Sequence, residues 1–267
     1  MPDDISDIRD FYSRSTEYED NRLIRHQLEF EMTMRYLDAY LPEEANILEL
    51  GAATGRYTLQ LVKRGHQVTA VDLSPVLLAQ CEKRLQTSGL QNWETLVADA
   101  RDLGNISGRF DVVLIMGPFY HLVEYEDRKQ VLENAYERLN DSGLCFTAWV
   151  SRLGMLGSLI RNMPEWIQIE DEVGSIMKDG RDPPGPRAGF RGYFARAEEI
   201  QPFHEAAGFE TQAFAGVEPC IGSHDESFNA LEGPLRTKWL DLLFQVSQEP
   251  SIIGASGHLL YIGRKAV

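Results

Sequence analysis

The chain has 267 residues, 43% of them hydrophobic, which is enough for one large core, and it shows no repeat or low-complexity tract of the kind that marks a modular array. Its formal net charge of −15 repels a phosphate backbone, so no nucleic-acid partner is expected and a small acceptor is favoured. Cys81, Cys145 and Cys220 lie far apart without metal-ligand spacing and read as reduced thiols. The acidic start lacks an apolar signal core, and the longest apolar run, Val112 to Val123, is interrupted by Gly117 and Pro118. A soluble, cytoplasmic protein with no membrane association is expected, with homo-oligomerisation left open.

Taken in order, the chain begins with a polar, charge-rich segment holding Phe11, Tyr12, Tyr18 and Arg22. It reads either as a helical extension that packs or as a lid over a ligand. Leu23, Phe30, Met34, Leu37 and Leu41 then recur at helical spacing and predict an amphipathic helix ending near Pro42. Residues 1–45 thus form an N-terminal helical extension. Ile47, Leu48 and Leu50 make a short apolar strand, broken by Gly51 to Gly55 just before a helical pattern over Tyr57 to Arg64. Glycines at such a strand-to-helix turn let a ligand approach the main chain without meeting a Cβ. Gln67 to Leu73 is a second apolar strand with Asp72 near its end, where a carboxylate can accept from both hydroxyls of a ribose.

Ser74 and Pro75 read as an N-cap and first helical residue, opening a helix that runs to about Thr87 before Gly89. Thr95 to Ala98 forms a short strand ending in Asp99-Ala100, and Phe110 to Met116 a buried one leading into Gly117-Pro118-Phe119-Tyr120-His121-Leu122. A helix over Glu126 to Leu139, a turn at Asp141-Ser142-Gly143 and a strand from Leu144 to Val150 complete five alternations of strand and helix. That alternation predicts an α/β fold with a doubly wound parallel sheet. Ser151 to Arg196, with Trp166, a turn at Pro183 to Pro186 and the tract Phe190-Arg191-Gly192-Tyr193-Phe194, is too long for an ordinary connection. A helix over Glu198 to Gly208, a strand over Phe209 to Val217 and a last strand over Gly257 to Gly263 follow, with Glu218 to Ser256 as a second insertion containing a helix around Trp239 to Val246.

The segment with Glu49 ending the first strand, followed by Gly51-Ala52-Ala53-Thr54-Gly55, resembles motif I of the class I S-adenosylmethionine-dependent methyltransferases, with Ala53 in place of the usual middle glycine. The stretch from Gly117 to Leu122 resembles motif IV, in the Gly-Pro-x-Tyr-His-Leu form of bacterial small-molecule enzymes of the ubiquinone-methyltransferase-like type. The likeness covers Asn46 to Val150 with ordered motifs and the tail from Ala197 more loosely. It implies a seven-stranded, mostly parallel, Rossmann-like sheet whose final strand is antiparallel, spanning residues 46–267 with insertions at 151–196 and 218–256. The cofactor implied is S-adenosyl-L-methionine. Glu49, Gly51, Ala52, Ala53 and Gly55 would cradle it, Asp72 and Leu73 would hold its ribose, and Asp99 and Ala100 its adenine. Met116 and Gly117 would lie beside it, Tyr12 or Tyr18 would contact it from the lid, and Arg22 would stand near its carboxylate.

Methyl transfer asks the protein for alignment, desolvation and, with a protonated nucleophile, a base. Among six histidines only His121 follows the fourth strand at the ligand-binding end of the sheet, so it is the candidate base, with Tyr120 as its orienting neighbour; the alternative is that it packs the loop or binds the acceptor. No metal is required by this chemistry, and no His/Asp/Glu group shows ligand spacing. The aromatics Phe119, Tyr120, Trp149, Trp166, Phe190 and Tyr193 would favour a partly apolar or planar acceptor if they line the pocket rather than the core. Two other readings compete. A nicotinamide-dependent oxidoreductase shares the glycine turn and Asp72, but Ala53 and Arg56 break the G-x-G-x-x-G pattern. A non-catalytic S-adenosylmethionine-binding partner protein would keep the fold without turnover.

Overall fold

The computed structural model describes residues 3–182, 191–219 and 225–266. Three helices lead the chain: α1 (Ser6–Arg14), α2 (Thr16–Arg25) and α3 (Gln27–Tyr40). The helix expected from Leu23 to Leu41 is two helices, because His26, at φ −99° and ψ 62°, leaves the helical region between them. From β1 (Asn46–Leu50) the chain alternates through α4 (Arg56–Lys63), β2 (Gln67–Asp72), α5 (Pro75–Ser88), β3 (Trp93–Val97), β4 (Phe110–Ile115), α6 (Tyr125–Arg138) and β5 (Leu139–Val150). Ser74 does cap α5, its hydroxyl accepting from the Leu77 amide at 3.3 Å. The turn expected at Asp141 to Gly143 lies inside β5, where the pairing with β4 shifts register and Ser142 takes φ +61°.

The rest comprises α7 (Leu156–Asn162), α8 (Glu170–Asp179), a small hairpin of β6 (Arg181–Asp182) and β7 (Gly192–Tyr193), α9 (Ala197–Glu205), β8 (Phe209–Gly216), α10 (Asp225–Asn229), α11 (Gly233–Val246), α12 (Pro250–Ala255) and β9 (His258–Lys265). The turn at Pro183 to Pro186, Phe190, Cys220 and His224 lie outside the described residues.

The main sheet has seven strands in the order β3-β2-β1-β4-β5-β9-β8. β1 pairs in parallel with β2 and β4, and β9 runs antiparallel to both neighbours, so the final strand is the reversed one, as expected. Two apolar clusters cover the faces. Ile47, Val68, Val112 and Leu260 pack on one side with Leu28, Met32 and Leu37 of α3 and Leu61 of α4; Leu48, Leu50, Val113 and Tyr261 pack on the other with Val131 and Leu132 of α6 and Ile200 of α9. Strands buried on both faces read as mostly apolar runs, which is why β4 carries Asp111 as its one polar residue and β1 places Ile47, Leu48 and Leu50 around Glu49. The strand order reverses between β1 and β4, and in open α/β sheets a crevice opens beyond the strand ends at such a point.

The cleft at the switch point

A cleft of about 990 Å³, partly open to solvent, occupies that position. Gly51, Ala52, Ala53 and Thr54 form its floor, Asp72 and Leu73 one wall, Ala98, Asp99 and Ala100 the next, and Met116, Gly117, Tyr120 and His121 the far wall. Gly51 sits at φ +81°, and a Cβ on it would fall 2.8 Å from Pro118 Cδ, so the turn needs glycine for both conformation and space. Gly55, the N-cap of α4 at φ +76°, would drive a Cβ into Cys81 and does not itself line the cleft. Ala53 takes φ +48°, a left-handed conformation a non-glycine residue adopts at some cost, and its amide donates to Asp72 Oδ2 at 2.8 Å. Asp72 Oδ1 accepts from the Ser74 amide at 2.8 Å, so this carboxylate braces the glycine turn as well as facing the cleft. Burial raises its pKa to about 6, against the opposing pull of the Ser74 and Ala53 amides.

Asp99 faces the cleft while Arg101 grips its carboxylate, with Nη2 to Oδ2 at 2.7 Å. Arg101 also donates to Asp127 Oδ2 and to the Asp3 carbonyl, each at 2.8 Å. Arg191, buried, donates to Asp3 Oδ2 at 2.7 Å and Asp7 Oδ1 at 3.0 Å. These two guanidiniums draw the start of the chain over the cleft, where Ile5, Ile8, Tyr12, Glu19, Arg22 and Leu23 complete the lining. Arg56 donates to the Asp20 carbonyl at 3.1 Å, which fixes α2 against α4. Tyr18 belongs to α2, but its side chain lies outside the described residues. Glu19, Leu23 and Tyr57 were missed by the sequence reading; α2 places Glu19, Arg22 and Leu23 on one face, a spacing of three and four that was there to be used.

Several expectations are corrected. Glu49 does not reach the cleft: it is buried beneath the turn on the same face as Ile47 and accepts from Thr58 Oγ1 at 2.6 Å. Arg22 lines the cleft, but its guanidinium is committed to both oxygens of Glu29, at 2.8 and 3.1 Å. Tyr120 does not orient His121 by a hydrogen bond, since its hydroxyl donates to the Met116 carbonyl at 3.1 Å and the two rings meet only edge to face at 4.7 Å. Tyr12 takes that place, with its hydroxyl 2.7 Å from His121 Nε2. Burial lowers the pKa of His121 to about 3, so it does not titrate near neutrality as an exposed imidazole would. Of the aromatics proposed for the acceptor, Tyr120 is the one among the described residues that lines the cleft, and Phe190 lies outside them. Phe119 stacks on Trp149 in the core at 4.6 Å, Trp166 is buried, donating to Glu172, and Tyr193 lies under the Arg128 guanidinium.

Burial also raises the pKa of Glu49, to about 7, although the Thr58 hydroxyl opposes the shift. The folded carboxyl keeps its proton to a higher pH than the unfolded one, whose ordinary value is 4.5. Stability should therefore fall as pH rises from about 4.5 to about 7 and then level, a loss on the order of 3 kcal/mol from this group. Denaturant unfolding at pH 5 and pH 8 should show a steeper loss in the wild type than in Glu49→Gln. Asp72 acts with the same sign in both proteins and cancels in the difference; parallel losses would refute the assignment.

Residues 47–143 match the Methyltransferase domain family. The chain is 31% identical over 86 residues to the putative methyltransferase YqeM of Bacillus subtilis, a match covering 32% of this chain and 34% of that protein. It is 22% identical over 155 residues to a tRNA 5-carboxymethoxyuridine methyltransferase of Escherichia coli, covering 57% and 58%. The chain thus spans about a third to somewhat over half of the length of these relatives. Its fold is shared with a S-adenosylmethionine-dependent methyltransferase from Thermotoga maritima, described as a possible histamine N-methyltransferase, at a TM-score of 0.60 and 17% identity over 96% of this chain and 98% of that one. The tRNA enzyme among these relatives leaves the expectation of no nucleic-acid partner without support. Among the described residues, no helix is long and apolar enough to cross a membrane.

Proposed function

We propose that this chain is a S-adenosylmethionine-dependent methyltransferase acting on a small-molecule acceptor held beneath its N-terminal helices. The observation that carries the reading is the convergence of the glycine turn, Asp72, Asp99-Ala100 and Gly117 on one cleft inside the span that matches the Methyltransferase domain. In this reading the bound cofactor supplies an electrophilic sulfonium methyl. An acceptor would take that methyl as the carbon–sulfur bond broke with its electron pair staying on sulfur, giving S-adenosylhomocysteine, and the chain's part would be to hold and align the two. Asp72 accepts from the ribose hydroxyls, Asp99 receives the adenine amino group, and the bare backbone at Gly51 and Gly117 admits the ligand without a Cβ in its way. The apolar Ile5, Ile8, Leu23 and Leu122 exclude water around the reacting centre.

A small acceptor is favoured by the overall charge of −15. A tRNA acceptor, the chemistry named for one relative, would have to approach against that field. Calorimetry comparing S-adenosylmethionine, S-adenosylhomocysteine and NAD separates this reading from the oxidoreductase. Mass spectrometry of a metabolite extract and of bulk tRNA, each incubated with methyl-labelled cofactor, then separates the acceptors. Preferential binding of NAD would discard the proposal, and labelled tRNA with an unlabelled extract would overturn its acceptor class.

The helices α1 and α2 act in this reading as a lid whose closed state is held by Arg101, Arg191 and the Tyr12–His121 hydrogen bond. Hydrogen exchange in residues 6–25 should slow on addition of S-adenosylhomocysteine, because opening would have to break ligand contacts as well. Exchange indifferent to ligand would return the segment to a packing role.

A further inference from the structure

The ends of β8 and β9 bring together three side chains from opposite ends of the chain. Glu218 follows β8, His258 opens β9, and Glu29 lies on α3; their oxygen and nitrogen atoms all fall within 4.8 Å of one another. His258 Nδ1 stands 2.7 Å from Glu218 Oε2 and 3.9 Å from Glu29 Oε2. Both glutamates are buried, at 3% and 5% exposure, where a carboxylate persists only with a partner. Rigid backbone sets the geometry. The Glu218 amide donates to Ser256 Oγ at 3.0 Å, Ser256 Oγ donates to the His258 carbonyl at 2.8 Å, and the Val217 amide donates to that same carbonyl at 3.0 Å. Gly257 completes the cradle, since a Cβ there would sit 2.7 Å from Glu218 Oε2 and displace the carboxylate.

We propose that Glu29, Glu218 and His258 form a binding site for a divalent transition-metal ion of the zinc class. Two carboxylates and an imidazole are ligands of that class, and bonds of about 2.0–2.2 Å place neighbouring ligand atoms roughly 3–3.5 Å apart, a spacing the two His258 distances bracket. Glu19 and Glu29 flank one guanidinium, Arg22, while Glu218 pairs with the imidazoles of His258 and His26, so three carboxylates are met by one permanent cation and two titratable rings that are themselves metal-ligand types. Arg22 donates to both oxygens of Glu29, its Nη1 to the same Oε2 that would meet the ion, and so orients that carboxylate, while His26 Nδ1, 3.6 Å from Glu218 Oε1, flanks the site. The ion would clip α3 to the sheet next to the cleft that Arg22 lines, and the site is independent of the proposed methyl transfer.

Chelator-treated full-length protein should take up one Zn²⁺ per chain in calorimetric titration and retain it through desalting. Glu218→Gln and His258→Gln should each weaken binding at least about tenfold, the scale expected on losing one of three ligands. S-adenosylhomocysteine affinity would report that the variants remain folded, and Co²⁺ substitution supplies a second readout, because its visible bands should change when His258 is replaced. Absence of saturable Zn²⁺ binding by the wild type overturns the proposal. So does binding that all the variants, with Glu29→Gln included, retain unchanged.

Discussion

Replacing Asp72 with alanine should weaken S-adenosylhomocysteine binding by about 1.5–3 kcal/mol, or roughly 10- to 150-fold, the range for a hydrogen bond to a charged group. Two effects add. The carboxylate faces the cleft, and its oxygens also hold the amides of Ala53 and Ser74 at 2.8 Å, so its loss frees the glycine turn. Ala53 is the sensitive point, because its left-handed conformation is kept by this contact. Asp72→Asn keeps one acceptor oxygen but turns an amide donor toward one of the two backbone amides, so it should fall between wild type and alanine. The fold should survive, since Asp72 ends β2 and its strand pairing runs through the backbone. Calorimetry on folded protein checks the series; an Asp72→Ala variant with wild-type affinity would remove Asp72 from the site.

How far the site was legible follows from sequence separation and strand alternation. The inner strands of the central sheet were readable because burial on both faces leaves mostly apolar runs, broken in β1 by Glu49 and in β2 by Thr69, and the turn between β1 and α4 because Gly51 and Gly55 need left-handed backbone. Asp72 and Gly117 follow from the rule that ligands meet an open sheet beyond its strand ends, whereas Asp99 was pointed to only by the resemblance to the methyltransferase motifs; all three line the cleft. Glu49 was misassigned although the alternation of β1 held the answer: it shares a face with Ile47, on the side covered by α4, so its carboxylate turns to Thr58. The break at His26 had no glycine or proline to announce it. The Tyr12–His121 contact joins residues 109 apart in the chain, and Glu218 meets His258 across an insertion; no spacing within a single element encodes such pairs. Burial of His121, which decides its proton affinity, depends on α1 lying across it, a tertiary fact that motif IV alone does not contain.

The largest effect on turnover is expected at His121. If the acceptor must lose a proton, His121→Ala and His121→Gln should lower kcat by about 10²- to 10⁴-fold, the usual worth of a general base, while cofactor affinity stays within about threefold. The pH profile distinguishes this site from an exposed histidine. Burial holds the imidazole near a pKa of about 3, so its neutral form is already present throughout the working range and is lost only as pH falls toward that value. Measured at saturating cofactor, where the protonation of Asp72 near pH 6 no longer limits binding, kcat should accordingly show no acid limb from His121 near ~6.5, the ordinary histidine value. A ring so reluctant to take a proton is a weak base, and its Nε2 is engaged by the Tyr12 hydroxyl, which burial pushes well above the ordinary tyrosine pKa. The acceptor's proton can therefore reach Nε2 only where the acceptor displaces Tyr12 or passes its proton through that hydroxyl. Tyr12→Phe tells these routes apart: displacement predicts turnover within a few-fold of wild type, and passage through the hydroxyl predicts a loss close to that of His121→Ala. A loss below about tenfold in both His121 variants, with cofactor binding intact, would return His121 to holding the lid tyrosine in place.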